Sequence, residues 1–209
     1  MPSSYSEENE RPDLDGISAL AEHVVYRVPG CAEVMIRKAL SETYRDFCRR
    51  TCVLRTVRDI ELESGTNDYP LVPRHFGCMV DSVVEASVGG RVLPMDGYSY
   101  CGGDFIHLCG RELPAEGETR TLRVTCVEVP VIGSDRASRL FAERYGDAIV
   151  SGALMRLFAM SDRPWSDPQQ SMLEARLYEN ACTENRVRYH SGGNLSSGAA
   201  SFYKKGLII

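Results

Sequence analysis

The apolar and polar positions divide the chain into a helical part, a β part and a second helical part. The clearest pattern covers residues 137–189, where apolar and small side chains recur at spacings of three and four, the period of an α-helix. These residues predict two long helices joined by a short break at residues 160–165. A helical hairpin of this kind has apolar faces that other elements of the chain must cover.

The first long helix is predicted to have a shallow inner face, formed by Phe141, Tyr145, Ala148 and Gly152. A shallow face lets a partner helix come close, so leucine at position 152 is expected to overpack the bundle while alanine is accepted. The second long helix is predicted to turn Leu173, Leu177 and Ala181 inward, with Tyr178 and Cys182 alongside. Ser166 or Asp167 is expected to cap its start, and Pro168 suits its first turn.

The N-terminal part predicts two further helices. The first is short and ends at Pro29 and Gly30. The second covers about residues 32–50. Their inner faces are predicted to be Ile17, Leu20, Ala21, Val24 and Val28 for the first, and Ile36, Leu40, Thr43 and Phe47 for the second.

Between the two helical parts the pattern changes to the two-residue alternation of β-strands. Strands are predicted at residues 52–62, 78–88, 98–108 and 121–129, with Gly89 and Gly90 forming a hairpin turn. Thr56 and Arg58 interrupt the alternation of the first strand. In the second strand the inward residues are predicted to be Val80, Val84, Ala86 and Val88.

The order of elements predicts an α+β fold that is mainly α. Two N-terminal and two long C-terminal helices form a bundle, an antiparallel β subdomain is inserted between them, and the termini are extended. The expected divisions are a flexible N-terminal segment at 1–13, a first helical half at 14–51, the β subdomain at 52–131, the helical hairpin at 132–190 and a C-terminal arm at 191–209.

Composition and charge describe an ordinary globular protein of 209 residues with a net charge of −5. The acidity argues against a general nucleic-acid binder, and no apolar run is long enough to span a bilayer. The first residues lack the order of a signal peptide, and eight scattered cysteines are expected to be reduced thiols of a cytoplasmic product. The acidic N-terminal and basic C-terminal ends either orient neighbouring copies or are two solvated tails.

The sequence contains few candidates for metal-binding or catalytic residues. Cys101, His107 and Cys109 are the nearest approach to a metal cluster, but they lack structural-zinc spacing and are expected to pack ordinarily. Cys48 and Cys52 are expected to fill the core, and a thiol nucleophile would need His23, His75 or His190 as its base. Asp59, Glu61 and Glu63 are expected to form the wet side of a strand. We predict no metal, no cofactor and no catalytic residues.

Several motifs together resemble the head-to-tail connector (adaptor) proteins of tailed bacteriophages, in their podovirus-like members. The motifs are VPGC at 28–31, DFCRRT at 46–51, YGDAIVSGAL at 145–154 and PWSDP at 164–168, and the resemblance covers roughly residues 15–185. It implies a virion structural protein at the neck between head and tail, assembled in the bacterial host cytoplasm. Such proteins form a ring, usually a dodecamer, that binds the portal, extends the channel for genomic DNA and attaches the next tail or nozzle protein.

The resemblance also assigns roles to residues. It implies that the helical bundle forms the ring wall, and the residue pattern itself predicts that Phe47, Ala148, Gly152 and Trp165 pack the subunit. Trp165 either anchors the joint between the long helices or lies in a contact. The C-terminal arm is expected to dock on the portal through Phe202, Tyr203, Lys204, Lys205, Leu207, Ile208 and Ile209.

Two other functions stay open on the sequence alone. Another neck or tail-ring component would have the same class of fold and differ only in its partner. A small thiol- or metal-dependent hydrolase using Cys101, His107 and Cys109 is the alternative from a different class. Stoichiometric zinc in the purified protein would favour that enzyme.

Overall fold

The fold is α+β, with five α-helices and two antiparallel sheets among the residues that the structure describes. A computed structural model describes residues 16–100, 102–103, 105–116 and 118–190. The helices are α1 (Gly16–Ala19), α2 (Ala21–Val25), α3 (Glu33–Thr51), α4 (Arg139–Phe158) and α5 (Pro168–His190), and Gly110–Glu112 form one 3₁₀ turn. The strands are β1 (Arg55–Leu62), β2 (Asp68–Pro70), β3 (Cys78–Val88), β4 (Arg91–Val92), β5 (Tyr98–Ser99), β6 (Phe105–Leu108) and β7 (Arg120–Pro130).

The N-terminal helical part differs from the prediction in one respect. The predicted single first helix is two short helices, because the chain turns at Leu20 and places that side chain against Gly146 of α4. The apolar face is nevertheless as predicted, since Ile17, Leu20, Val24 and Val28 are buried. The predicted inner face of α3 is also confirmed, and Cys52 ends that helix in the left-handed conformation (φ 55°).

The β subdomain contains a four-stranded sheet in the order β1-β7-β3-β4 and a three-stranded sheet in the order β2-β6-β5. Gly89 and Gly90 both have positive φ and join β3 to β4 as predicted. The predicted strand at 98–108 is a pair of strands, β5 and β6. Val84 is 46% exposed instead of inward, because two irregularities in the pairing of β3 with β7 shift the inward positions.

Two hydrophobic cores result, and β7 belongs to both. Leu122, Val124 and Cys126 lie in the core of the β subdomain, whereas Val129 of the same strand lies in the core of the helical bundle. The junction is also tied by side chains, since Arg45 of α3 donates a hydrogen bond to the Pro130 carbonyl at 2.6 Å. The strand β7 is therefore shared by both halves of the molecule.

The C-terminal hairpin begins and turns as the sequence predicts. The Ser138 hydroxyl caps α4, and Asp167 Oδ1 accepts the backbone N–H groups of Gln169 and Gln170 at 3.0 Å to cap α5. The helix α5 runs in the same direction as α3, because both are antiparallel to α4. Thr43 and Phe47 of α3 lie against Gly152 and Tyr145, and Ser171 and Tyr178 of α5 lie against Met155 and Gly152. The last turns of α5 therefore lie at the end of the bundle at which the chain enters β1.

The predicted inner face of α5 is wrong by one position. Leu173 and Leu177 are 50% and 49% exposed, while Glu174, Tyr178 and Cys182 are buried. The reason is that the polar ends of Glu174 and Tyr178 find partners at the edge of the bundle, on the segment after α2 and on α3. The Glu174 carboxylate lies 2.6 Å from the Arg27 guanidinium, and these contacts rotate the leucines outward.

The close approach of three helices depends on Gly152 of α4. A Cβ atom at this position would lie 2.4 Å from Thr43 Cγ2 of α3 and 2.8 Å from Tyr178 Cδ2 of α5. The shallow face predicted from the sequence is therefore real, and it is tighter than expected. Even alanine does not fit at position 152 without displacing a neighbour, contrary to the sequence-based expectation.

We predict that Gly152→Ala lowers the free energy of unfolding by about 1–3 kcal/mol through overpacking. The matched control is Gly146→Ala on the same helix, whose new Cβ would meet only the end of the Leu20 side chain at 2.9 Å. Both changes gain the same helix propensity, so their difference isolates the contact. Urea unfolding measures both variants, and equal stability of the two would contradict the packing at Gly152.

Candidate functional site

The four residues predicted to pack the subunit all lie in or against the core of the helical bundle. Phe47 is completely buried, and its ring centroid lies 5.3 Å from that of Tyr145. Gly152 lies at the contact of three helices, Trp165 is 8% exposed at the joint between α4 and α5, and Ala148 is partly buried. These side chains hold the bundle together, so the surfaces free to meet other molecules lie elsewhere.

One such surface is an apolar ridge on α5. It consists of Met172, Leu173 and Leu177, which are 62%, 50% and 49% exposed. We call it the α5 ridge. Three large apolar side chains within two turns of an exposed helix are typical of a contact surface rather than of scattered surface residues.

A further surface of the bundle is a groove between α1, α2 and α4. Small residues line it at Gly16, Ala19 and Gly146. Charged side chains also line it at Arg27, Arg139, Glu143 and Asp147. We call it the α1–α4 groove. The groove and the α5 ridge are formed by different residues, and Arg27, which lines the groove, pairs with Glu174 of α5.

A second exposed apolar surface lies on two loops, one between β2 and β3 and the other between β7 and α4. Phe76 is 60% exposed and Ile132 is 87% exposed. The Arg136 guanidinium lies 4.5 Å from the centroid of the Phe76 ring, and the Val131 N–H donates to the Gly77 carbonyl at 2.9 Å. These contacts hold the two loops together as one surface.

Beneath these loops lies a buried polar network centred on Glu128 of β7, which is 0% exposed. One carboxylate oxygen accepts hydrogen bonds from the Thr56 hydroxyl (2.9 Å), the Arg58 guanidinium (2.6 Å) and the Arg74 N–H (2.9 Å). The other accepts the His75 N–H at 2.9 Å and lies 2.8 Å from His75 Nδ1. Burial alone would raise the pKa of Glu128, but these hydrogen bonds outweigh it and lower the pKa to about 2.

Sequence reasoning missed this network, although two signals pointed to it. Thr56 and Arg58 interrupt the apolar alternation of β1 at inward positions, and both are buried. Glu128 stands in the otherwise apolar end of β7, where a buried carboxylate needs a cationic partner. The polar interruptions on the two neighbouring strands are therefore the two halves of one ion pair.

The candidate metal-binding residues are not brought together in the part of the chain that the structure describes. The His107 ring pairs with Asp68 at 2.8 Å, and the Cys109 thiol donates to the Asp96 carbonyl at 2.9 Å. Cys101, the third member of that set, lies outside the described residues. Across those residues, no group of three or more metal-ligating side chains could hold a metal ion.

The remaining thiol and histidine candidates are also separated. Cys48 is buried, and its burial raises the pKa of the thiol well above its usual value, which disfavours the nucleophilic thiolate. The Cys52 thiol donates instead to the Arg49 carbonyl. His75 faces Glu128, His23 lies in the α1–α4 groove, and the side chain of His190 lies outside the description.

The wet strand face predicted for β1 is confirmed. Asp59, Glu61 and Glu63 are all exposed, and Asp59 pairs with Arg123 of β7 at 2.8 Å. The residues expected to bind the portal, which are Phe202, Tyr203, Lys204, Lys205, Leu207, Ile208 and Ile209, lie outside the described residues, as does the segment 1–13. None of the described helices has both the length and the apolar character needed to cross a membrane.

Comparison with models of known protein families finds no match to this chain. A search of curated proteins also finds no relative. The surfaces described above and the motifs of the sequence are therefore the features that point to a function.

We predict that Glu128→Gln destabilises the protein by about 3 kcal/mol or more at neutral pH, because it leaves Arg58 buried without its counter-ion. The pKa of Glu128 is lower in the folded state than its ordinary value of 4.5, so its stabilisation is present above pH 4.5. It is lost as the pH falls from 4.5 towards 2. The stability difference between wild type and variant should therefore shrink over that range.

Urea unfolding at pH 7, 5 and 3 measures this difference. The control is Glu63→Gln, because that exposed carboxylate makes no ion pair within the described residues. A Glu128→Gln deficit that stays constant from pH 7 to pH 3 would contradict the assignment of Glu128 as an ionised buried group.

Proposed function

We propose that this chain is the subunit of a head-to-tail adaptor ring in the virion of a tailed bacteriophage. The observation that carries the proposal is the exposed α5 ridge, on a helix that the resemblance to connector proteins assigns to the ring wall. The order of elements, a helical pair, an inserted β subdomain and a long helical hairpin, fits the same class of protein. In this role the protein is structural and acts through its surfaces.

The ridge has a suitable counterpart on the same subunit. Large apolar side chains project from it at Met172, Leu173 and Leu177, whereas small residues line the α1–α4 groove. A ridge of large residues packs closely against a surface of small ones, as ridges pack into grooves between helices. We assign the groove of a neighbouring copy as the site that receives the ridge.

The difference in composition between the two surfaces favours a ring over a closed dimer. A two-fold dimer uses the same patch on both copies, whereas a ring joins two different patches head to tail. Here the ridge is formed by residues of α5, whereas the groove is formed by residues of α1, α2 and α4. Each copy would then offer its ridge to one neighbour and its groove to the other.

The partners follow from the adaptor role. The ring, a dodecamer by resemblance, would bind the portal on one side and a tail or nozzle protein on the other. Genomic DNA would pass through the lumen without sequence-specific binding, and the net charge of −5 suits a surface on which DNA slides. The ring would assemble in the host cytoplasm and remain in the neck of the virion.

We predict that Leu177→Glu prevents ring assembly but leaves the subunit folded, because it places a charge in the proposed contact and disturbs no buried residue. Sedimentation velocity, alone and with purified portal, measures assembly, and the free energy of unfolding should change by no more than about 0.5 kcal/mol. The matched control is Ile132→Glu, which places the same charge on an exposed apolar residue away from the ridge. Failure of both variants to assemble, or of neither, would contradict the role of the ridge.

A mixing experiment tests the head-to-tail geometry directly. Ala19→Trp fills the α1–α4 groove at an exposed position and leaves the ridge intact, whereas Leu177→Glu leaves the groove intact. Each variant alone should stay monomeric, and a mixture of the two should give heterodimers and no rings. Heterodimers would not form if the ridge packed against the ridge of a second copy.

The portal contact is tested separately. A chain that ends at Ser191 keeps all the contacts described for the bundle and the β subdomain, so we expect it to fold and to retain the ridge and groove. It should nevertheless fail to sediment with the portal ring, because residues 202–209 are missing. Normal binding of this shortened chain would contradict the assignment of the arm as the portal-binding segment.

A further inference from the structure

The strand β1 is an edge of the four-stranded sheet, because its described pairing is with β7 alone. The Glu128 N–H donates to the Leu54 carbonyl at 2.8 Å, which makes these opposite residues a hydrogen-bonded pair. In an antiparallel ladder such pairs alternate, so Thr56, Arg58, Ile60 and Leu62 also bond to β7. The backbone groups of Arg55, Val57, Asp59 and Glu61 therefore point away from the sheet.

These outward groups make no hydrogen bond to any residue between 16 and 190 that the structure describes. A row of free N–H and C=O groups on an eight-residue strand is a template for an additional strand. The described residues of β1 contain no bulge, since the register with β7 is continuous from Arg55 to Leu62. The backbone geometry is thus suitable for strand addition.

The side chains along the edge define what kind of strand fits. Val57 is 45% exposed, and the following outward residues, Asp59 and Glu61, are acidic, as is Glu63 just after the strand. Glu61 and Glu63 form no ion pair within the described part of the chain. A second copy of β1 would bring like charges together, whereas a strand with basic and apolar residues would be stabilised.

The chain itself contains such a segment. Residues 202–209 combine β-branched and aromatic residues, which favour strands, with the adjacent pair Lys204 and Lys205. On an extended segment one of these two lysines must lie on the same face as Asp59 and Glu61. The segment therefore has the composition that the edge of β1 requires.

The connection is also long enough. The helix α5 ends at His190, at the end of the bundle where the chain enters β1. The eleven residues 191–201 reach about 36 Å when extended. A short tether gives the segment an effective concentration in the millimolar range at its own edge strand, which favours its own chain over a neighbour.

We propose that residues 202–209 of the unassembled subunit pair with the free edge of β1 in the same chain. The pairing covers an edge strand that would otherwise promote aggregation, and it does not depend on the adaptor role. If the chain is an adaptor, the portal must displace the segment from β1 before the arm can dock. The edge of β1 is then the resting site of the arm.

Amide hydrogen exchange followed by NMR tests the pairing at single residues. In the full chain the outward amides of Val57, Asp59 and Glu61 should exchange at least about tenfold more slowly than in a chain that ends at Ser191. The amides of Arg58 and Ile60 donate to β7 in both chains and serve as internal controls. Equal exchange of the outward amides in the two chains would overturn the proposal.

A charge reversal keeps the test independent of chain length. Lys204→Glu combined with Lys205→Glu alters no described residue and should return the outward amides to the rates of the shortened chain. Adding Glu61→Lys should restore much of the protection, whereas adding Glu184→Lys on the exposed surface of α5 should not. Unchanged protection in the variant that carries both Lys204→Glu and Lys205→Glu would overturn the role of charge in the pairing.

Mixing identifies which chain supplies the segment. A ¹⁵N-labelled chain that ends at Ser191 is mixed with unlabelled full chain, so that only pairing between molecules can protect the labelled edge. We expect no protection of the labelled outward amides. Protection there would overturn the assignment to the same chain and would make the arm a link between copies.

Discussion

The burial of the Glu128 carboxylate is the constraint on which the β subdomain and its junction with the bundle depend. A carboxylate with no exposed surface is stable only while its hydrogen-bond partners stay in place. These partners come from β1 and from the loop before β3, so one side chain of β7 determines the position of two other segments. A one-residue slip of β1 would turn Arg58 towards solvent and leave the charge of Glu128 uncompensated. The register of β1 is therefore specified more strictly by this ion pair than by its apolar residues.

The same polar contacts decide which surfaces remain available for other molecules. In α5, Glu174 and Tyr178 turn towards their partners Arg27 and Asp46 on neighbouring segments, and Leu173 and Leu177 consequently face solvent. In β1 the inward direction of Arg58 leaves Asp59 and Glu61 on the outer face of a strand whose second edge has no partner among the described strands. Buried polar residues thus produce both an exposed apolar ridge and an exposed acidic edge. Both surfaces are suited to contact with another segment or another copy.

Most of the fold could be predicted from periodicity, because long helices such as α3 and α4 and the alternating strand β3 give strong signals. The prediction of inward faces failed where a buried side chain has an apolar body and a polar end. Tyr178 buries its ring and still bonds Asp46, so leucine at the neighbouring positions was a misleading guide to the inner face of α5. The exposure of Val84 could not be predicted either, because a bulge arises from the pairing of two strands and leaves no period in one of them. The network around Glu128 joins residues more than 50 positions apart, which only the fold brings together.

The shared strand β7 has a mechanical consequence. Its eleven residues extend about 36 Å, and they leave the β core only where they enter the core of the bundle. A hinge between two domains needs a segment whose backbone dihedrals can change freely, and a strand bonded on both sides offers none. The β subdomain and the helical bundle should therefore move together as one rigid body. A load applied to the β subdomain would be transmitted to the helices without being absorbed at the junction.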